Sequence, residues 1–144
     1  MKLKLTFLSV IAMTLFALTS CSTEAKKIEG SWNIYSFTID GTGQQLAPSG
    51  ITFEKKSETL YSVKGNSGIN TFFGDITVKG SKFTPNENFA STRMSGDPAS
   101  MKYEDDFIKC LLGATKTSIF TENDTEFLEI TNSKEKSVLV FVRK

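Results

Sequence analysis

Histidine is missing from all 144 residues. That absence excludes Ser-His-Asp and Cys-His catalysis, histidine-ligated metals and histidine pH switching together. Cysteine is scarce, with Cys21 and Cys110 the only two. Charge of one sign is not in excess either, since 17 basic residues face 16 acidic ones. A nucleic-acid partner would ask for a basic surface, so none is expected. The one sustained apolar run, from Leu5 to Leu18, is 14 residues long. A helix needs ~20 to cross a bilayer core, so this run is not a transmembrane span. There is no Walker loop, dinucleotide fingerprint or calcium loop, and no internal repeat or second domain.

What is present begins at the N-terminus. Lys2 and Lys4 precede the apolar run and small residues end it, which is the pattern of an export signal. The end of the run, Leu18-Thr19-Ser20-Cys21, resembles the lipobox of bacterial lipoproteins. In that family the cysteine is acylated and the signal is cut just before it. The resemblance implies a signal peptide over residues 1–20, a lipid on Cys21, and a lipidated N-terminus and tether over 21–29. One acyl chain binds membranes only marginally, and further chains make the attachment stable. Ser22 in place of an aspartate implies the outer membrane by the same resemblance. Cys21-Ser22-Thr23-Glu24 is weakly similar to surface-export signals, so the periplasmic face and the cell surface both stay open. Removing the leader takes Lys2 and Lys4 away and moves the net charge from +1 to −1. With Cys21 acylated, Cys110 has no partner, and stability must come from packing rather than a disulfide.

From Gly30 onward the chain reads as one β-rich domain, residues 30–144. Trp32, Ile34, Tyr35, Phe37 and Ile39 form an apolar-rich strand stopped by Asp40-Gly41, a strong turn signal. Further strands are expected at Ile51–Phe53, Leu60–Val63, Phe72–Val78 and Lys82–Thr84, and Phe89 to Met94 is expected to be extended. Gly65-Asn66-Ser67-Gly68 reads as a break. After Asp97 as cap and Pro98 at the first position, a helix is expected, ended by Gly113. Met101, Phe107, Ile108, Leu111 and Leu112 share its apolar face, and Glu104 falls within that arc as a misfit. Cys110 borders the stripe as a small core residue. Three strands follow, near Ser118–Phe120, Phe127–Ile130 and Val138–Val142. The last is continuously apolar, as for a strand covered on both faces. The expected class is mostly β with one helix (α+β): a small antiparallel barrel or half-barrel plugged by that late helix.

Two blocks then become distinctive. Gly65-Asn66-Ser67-Gly68-Ile69-Asn70-Thr71-Phe72-Phe73-Gly74 resembles a Gly-x-Ser-Gly-Cys-Asn block followed by a Phe-x-Gly strand. Ser91-Thr92-Arg93-Met94-Ser95-Gly96 resembles a Thr-Arg-Met-Ala-Cys block preceding a helix. With the tryptophan strand and the paired leucines Leu111-Leu112, these resemble the META domain family, also called HslJ-like, over about Ile28 to Lys144. Two departures are coupled. The family cysteines fall at Ile69 and Gly96, and both are missing, so any redox role of that pair does not carry over. The resemblance implies a barrel-like fold and envelope proteins linked to heat or antibiotic stress, motility or virulence, with no enzymatic activity established for the family.

Candidate chemistry is thin. Ser133-Lys134-Glu135-Lys136 matches Ser-x-x-Lys but lies in an expected hairpin loop rather than at a helix start. Asp105 and Asp106 are adjacent on a helix and point about 100° apart, so they do not converge. The candidate binding or structural motif is Gly65, Ser67, Gly68 and Asn70 with Thr92, Arg93 and Met94. The loop would either bind a ligand or hold unusual backbone angles with Asn70 bonding nearby backbone. Arg93 would either take an anion or pair with a carboxylate such as Glu104. No catalytic residue, metal or cofactor is expected. Two functions stay open: a protein-binding envelope lipoprotein acting in maintenance or stress, or a carrier or sensor of an apolar ligand such as a lipid. The first expects a filled interior, the second a cavity of ~300 Å³ or more lined by several of Phe53, Phe72, Phe83, Phe120 and Phe141.

Overall fold

The computed structural model describes residues 27–144. The expected signal over residues 1–20 and the lipidation residue Cys21 lie outside the described residues. Strand β1 (Gly30–Ile39) sends Trp32 and Ile34 inward. Its register then slips between Ile34 and Ser36, and Phe37 and Ile39 resume the inward set. The extra residue of this bulge is Tyr35, which stays 60% exposed. Asp40 and Gly41 follow at φ of 50° and 77°. Positive φ at both central residues is what a two-residue hairpin turn requires, and it returns the chain into β2 (Thr42–Gly43).

β3 (Gly50–Lys55), β4 (Leu60–Asn66), β5 (Thr71–Lys79) and β6 (Lys82–Pro85) form an antiparallel meander beside β1, and β7 (Ala90–Ser91) adds a short rung to β5. Helix α1 (Pro98–Leu112) comes next, then β8 (Lys116–Glu122), β9 (Thr125–Asn132) and β10 (Ser137–Arg143). β10 pairs with β1 and makes the sheet ring-like. The joint between β6 and β8 is much weaker. It rests on one residue pair, Lys82 with Lys116, flanked by backbone bonds from Phe83 N to Thr115 O and from Thr117 N to Ser81 O. The class expected from sequence therefore holds: mostly antiparallel β, one late helix, a half-barrel with the helix inside.

The helix starts where its cap dictates. Asp97 accepts from Ser100 N at 3.0 Å and from Ser100 Oγ at 2.5 Å, and Pro98 opens the first turn. Gly113 closes it, donating to the carbonyl of Lys109. The buried face differs from the expected stripe. Tyr103, Phe107, Cys110 and Leu111 go inward together with Glu104, while Leu112 is 44% exposed. Phe107 sits at the centre, with ring centroids 5.9 Å from Phe72, 6.2 Å from Phe141 and 6.5 Å from Phe37.

Two further expectations need correction. Gly65 and Asn66 do not break β4 but end it, paired with Phe72 and Thr71. β10 is not covered on both faces. Leu139 and Phe141 are buried within, while Val138, Val140 and Val142 are half-buried on the outer face, because no second layer covers the ring there. The segment before β1 is also more engaged than a tether need be. Ile28 is buried, and its carbonyl accepts from Trp32 Nε1 at 2.8 Å.

Candidate functional site

The two motif blocks meet around one carboxylate. Glu104, the misfit on the helix, turns inward and accepts three hydrogen bonds. Its Oε1 receives Ser67 Oγ at 2.6 Å and Asn70 N at 2.7 Å, and its Oε2 receives Asn70 Nδ2 at 2.6 Å. Burial pushes this carboxyl up, but the bonds from Ser67 and Asn70 outweigh burial and hold it below its ordinary value. The charge is thus buried without being orphaned.

Asn70 is the hub. Its Oδ1 accepts from Thr92 Oγ1 at 2.9 Å and from Met94 N at 2.6 Å, while its Nδ2 donates to Met94 O at 3.1 Å as well as to Glu104. An amide side chain offers two donors and two acceptor sites, so Asn70 is fully used. Thr92 completes the tie by accepting from Thr71 N through Oγ1 and donating its own N–H to Thr71 O. One buried amide and one buried carboxylate therefore bind the β4–β5 turn, the stretch before the helix and the helix itself.

The glycines serve the same construction. A Cβ on Gly65 would lie 2.3 Å from the carbonyl oxygen of Gly50 and 2.4 Å from the ring of Phe72, so only glycine lets that ring close over β4. Gly68 sits at φ 117° and donates its N–H to Asn66 Oδ1 at 2.7 Å. Ile69 and Gly96, the two positions where the resembled family carries cysteines, are neighbours. A Cβ at Gly96 would fall 2.3 Å from Ile69 Cδ1, so the isoleucine fills the space a second side chain would take.

The expected pairing of Arg93 with Glu104 is not formed. Glu104 takes its partners from Ser67 and Asn70, while the Thr92 hydroxyl and the Met94 backbone grip Asn70 on either side of Arg93, whose side chain is left exposed. It makes no ion pair among the described residues. A shallow groove of about 440 Å³ runs between the helix and residues 91–95, touching Arg93, Met94, Met101 and Ile108. In this clasp of Ser67, Asn70, Thr92 and Glu104 the Ser67 hydroxyl meets a carboxylate, but Ser67 is fully buried and its oxygen is turned away from the groove's solvent, so the pair is built as a joint and not as an exposed nucleophile. Among the described residues no group of three or more acidic or cysteine side chains converges as a metal site would. Cys110 is buried against the barrel wall, and burial pushes its thiol up, away from the reactive thiolate.

The interior is occupied by side chains. Phe53, Phe72, Phe83 and Phe141 are all buried in one cluster with Phe107. Phe120, expected with them, is on the outer face instead, 38% exposed and stacked on Phe127. A wider groove of about 700 Å³ on the outside of β1, β3, β4 and β5 is open to solvent, and it touches Phe72 and Phe73 alone of the phenylalanines.

The family model described as META domain matches residues 24–144. A protein from Burkholderia xenovorans, solved by NMR, is similar in fold with a TM-score of 0.65 and 20% identity, over 81% of this chain and 82% of that one. A crystal structure of a DUF4847 family protein from Bacteroides vulgatus is similar at a TM-score of 0.51 and 16% identity, over 81% of this chain and 93% of that one. No curated protein matches the chain.

Proposed function

The chain belongs to the META domain family, and from that premise we propose that it is a non-catalytic lipoprotein of the bacterial envelope. It is anchored through acylated Cys21 in the outer membrane, and it acts by binding another envelope protein in maintenance or stress response. The observation that carries the reading is the filled interior. Phe107 and its ring neighbours occupy the centre of the ring, which supports recognition on the outer surface over carriage inside. The motif residues support it as well, because Ser67, Asn70 and Thr92 spend their polar atoms on each other and on Glu104.

The test is intact-mass analysis of the full chain expressed with its leader in a Gram-negative envelope, followed by native mass spectrometry and cross-linking. The expected mature mass begins at Cys21 and carries acyl chains, which Cys21→Ser abolishes. The domain is expected to run as an apo protein and to cross-link to an envelope protein. A co-purified lipid that leaves on denaturation would overturn the protein-binding reading in favour of the carrier.

A further inference from the structure

Phe127 is buried, yet it does not belong to the interior. It lies on the outer face of β9, covered by Tyr35 on one side (centroids 5.0 Å apart, edge to face) and by Phe120 on the other (5.2 Å, stacked). The half-buried Val140 and Val142 of β10 continue the patch, which crosses β1, β10, β9 and β8. Among the described residues the other exposed large apolar side chains stand on separate elements: Leu46 in a loop, Phe73 on β5, Met94 before the helix and Leu112 at its end. Small domains expose single apolar residues freely, whereas a contiguous aromatic face marks a contact surface.

The position of this face is set by where the chain enters. Arg143 lies 4.1 Å over the Trp32 ring, donates to the carbonyls of Lys27 and Glu29, and pairs with Glu126, the neighbour of Phe127. The entry segment is thereby fixed beside the rung of Trp32 and Arg143. The next rung is Asn33, Val142, Phe127 and Phe120, which is the patch itself. From Lys27 back to Cys21 is six residues, a reach of about 20 Å at most.

We propose that the Tyr35–Phe127–Phe120 face rests on the bilayer that holds the Cys21 anchor, seated in a zwitterionic headgroup layer. The proposal rests on the lipid-anchor reading above. Tyr35, the most exposed of the three rings, has the polar tip that settles at the headgroup level, with the apolar Phe120 beside buried Phe127 beneath it. Glu129 lies on this face beside Val140, and the turn Glu122-Asn123-Asp124 adjoins it, so seating comes from ring insertion rather than from attraction to anionic lipid. The contact need not be strong alone. A six-residue tether makes it intramolecular, so a weak surface affinity is enough to orient the domain.

The experiment uses the full lipidated protein in phosphatidylcholine vesicles, with and without bromine on the acyl chains. Tyr35→Trp and Phe73→Trp place a reporter on the aromatic face and on β5, and buried Trp32 is a constant background. The expected result is that bromolipid takes emission from position 35 and leaves position 73 unchanged. Equal quenching at both, or none at 35, in protein whose mass shows the acyl chains would overturn the proposal while leaving the anchor intact. Shielding of position 35 by a cross-linked protein instead of lipid would also overturn it. A mature mass without acyl chains would remove the anchor and the proposal together.

Discussion

Replacing Ile69 and Gly96 together by cysteine should convert a packed pair into a disulfide. A Cβ built at Gly96 falls 3.1 Å from Ile69 Cγ1, and Cγ1 is one bond from Ile69 Cβ, so the two Cβ atoms come close enough for an S–S bridge. The closed loop spans residues 69–96. At about 28 residues, the loop-entropy estimate gives about 3.5 kcal/mol. Trimming half-buried Ile69 to cysteine costs about 1 kcal/mol of packing. The oxidised double variant should therefore gain about 2 kcal/mol, which moves a urea midpoint up by about 1 M. The single variants should behave in the opposite sense. Gly96→Cys alone drives its Cβ into Ile69 Cδ1 and destabilises, and Ile69→Cys alone is mildly destabilising. The assay is urea unfolding of the four members of the cycle in a Cys21→Ser background, oxidised and reduced, with thiol counting. More than the single Cys110 thiol in the oxidised double variant, counted after unfolding, or a lower midpoint on oxidation, would refute the proximity of the two positions.

Four other predictions concern the clasp and the core. Glu104→Gln puts an amide donor against Asn70 Nδ2 and should cost about 1–3 kcal/mol at neutral pH. Because the folded carboxyl lies below its ordinary value, the stability it lends is complete above the ordinary carboxylate range. That stability is lost as pH falls through the lowered folded value, so the gap between variant and wild type should narrow in acid melts. Asn70→Ala should destabilise by about 2 kcal/mol or more, whereas Arg93→Ala should stay within about 0.5 kcal/mol, both read by urea unfolding. Gly65→Ala should cost about 1–3 kcal/mol because its methyl meets the Phe72 ring and a carbonyl, and thermal melting would register the loss. The Cys110 thiol should ignore an aromatic disulfide reagent in the native state and react once urea unfolds the chain.

The strand and helix framework was legible because each element carries its own period and its own stop. Asp40-Gly41 ends β1, Asp97 and Pro98 start the helix, and Gly113 ends it. What periodicity cannot see is a register slip. The bulge at Tyr35 reverses which residues of β1 face in, and no residue type announces it. Phe120 reads as interior for a related reason, since alternation tells which residues share a face but not which face is the core. Helical spacing marked Glu104 as a misfit, and that was the usable clue to the site. A carboxylate inside an apolar arc must find donors, and the nearest candidate in the motif was Arg93. The actual donors, Ser67 and Asn70, lie 37 and 34 residues away, and only the folded ring brings them under the helix.

The position of the clasp explains why the motif reads like a binding site and is built like a joint. The ring is weakest between β6 and β8, where one residue pair carries the seam. The helix fills the space inside it and is held at its middle and near its C-terminus. Asn132 Nδ2 bonds the Lys109 carbonyl, and Glu135 pairs with Lys109, near the helix C-terminus. Glu104, seventh of the fifteen helical residues, grips Ser67 and Asn70 at mid-helix. An apolar plug by itself could slide or rotate within a phenylalanine-rich interior, since burial is non-directional. Hydrogen bonds to a buried carboxylate are directional and fix the rotation that puts Phe107 at the centre. The polar motif is thus consumed in setting the core. The exposed aromatic face lies apart from it on the outside of the ring, one rung from the point at which residues 27–29 enter.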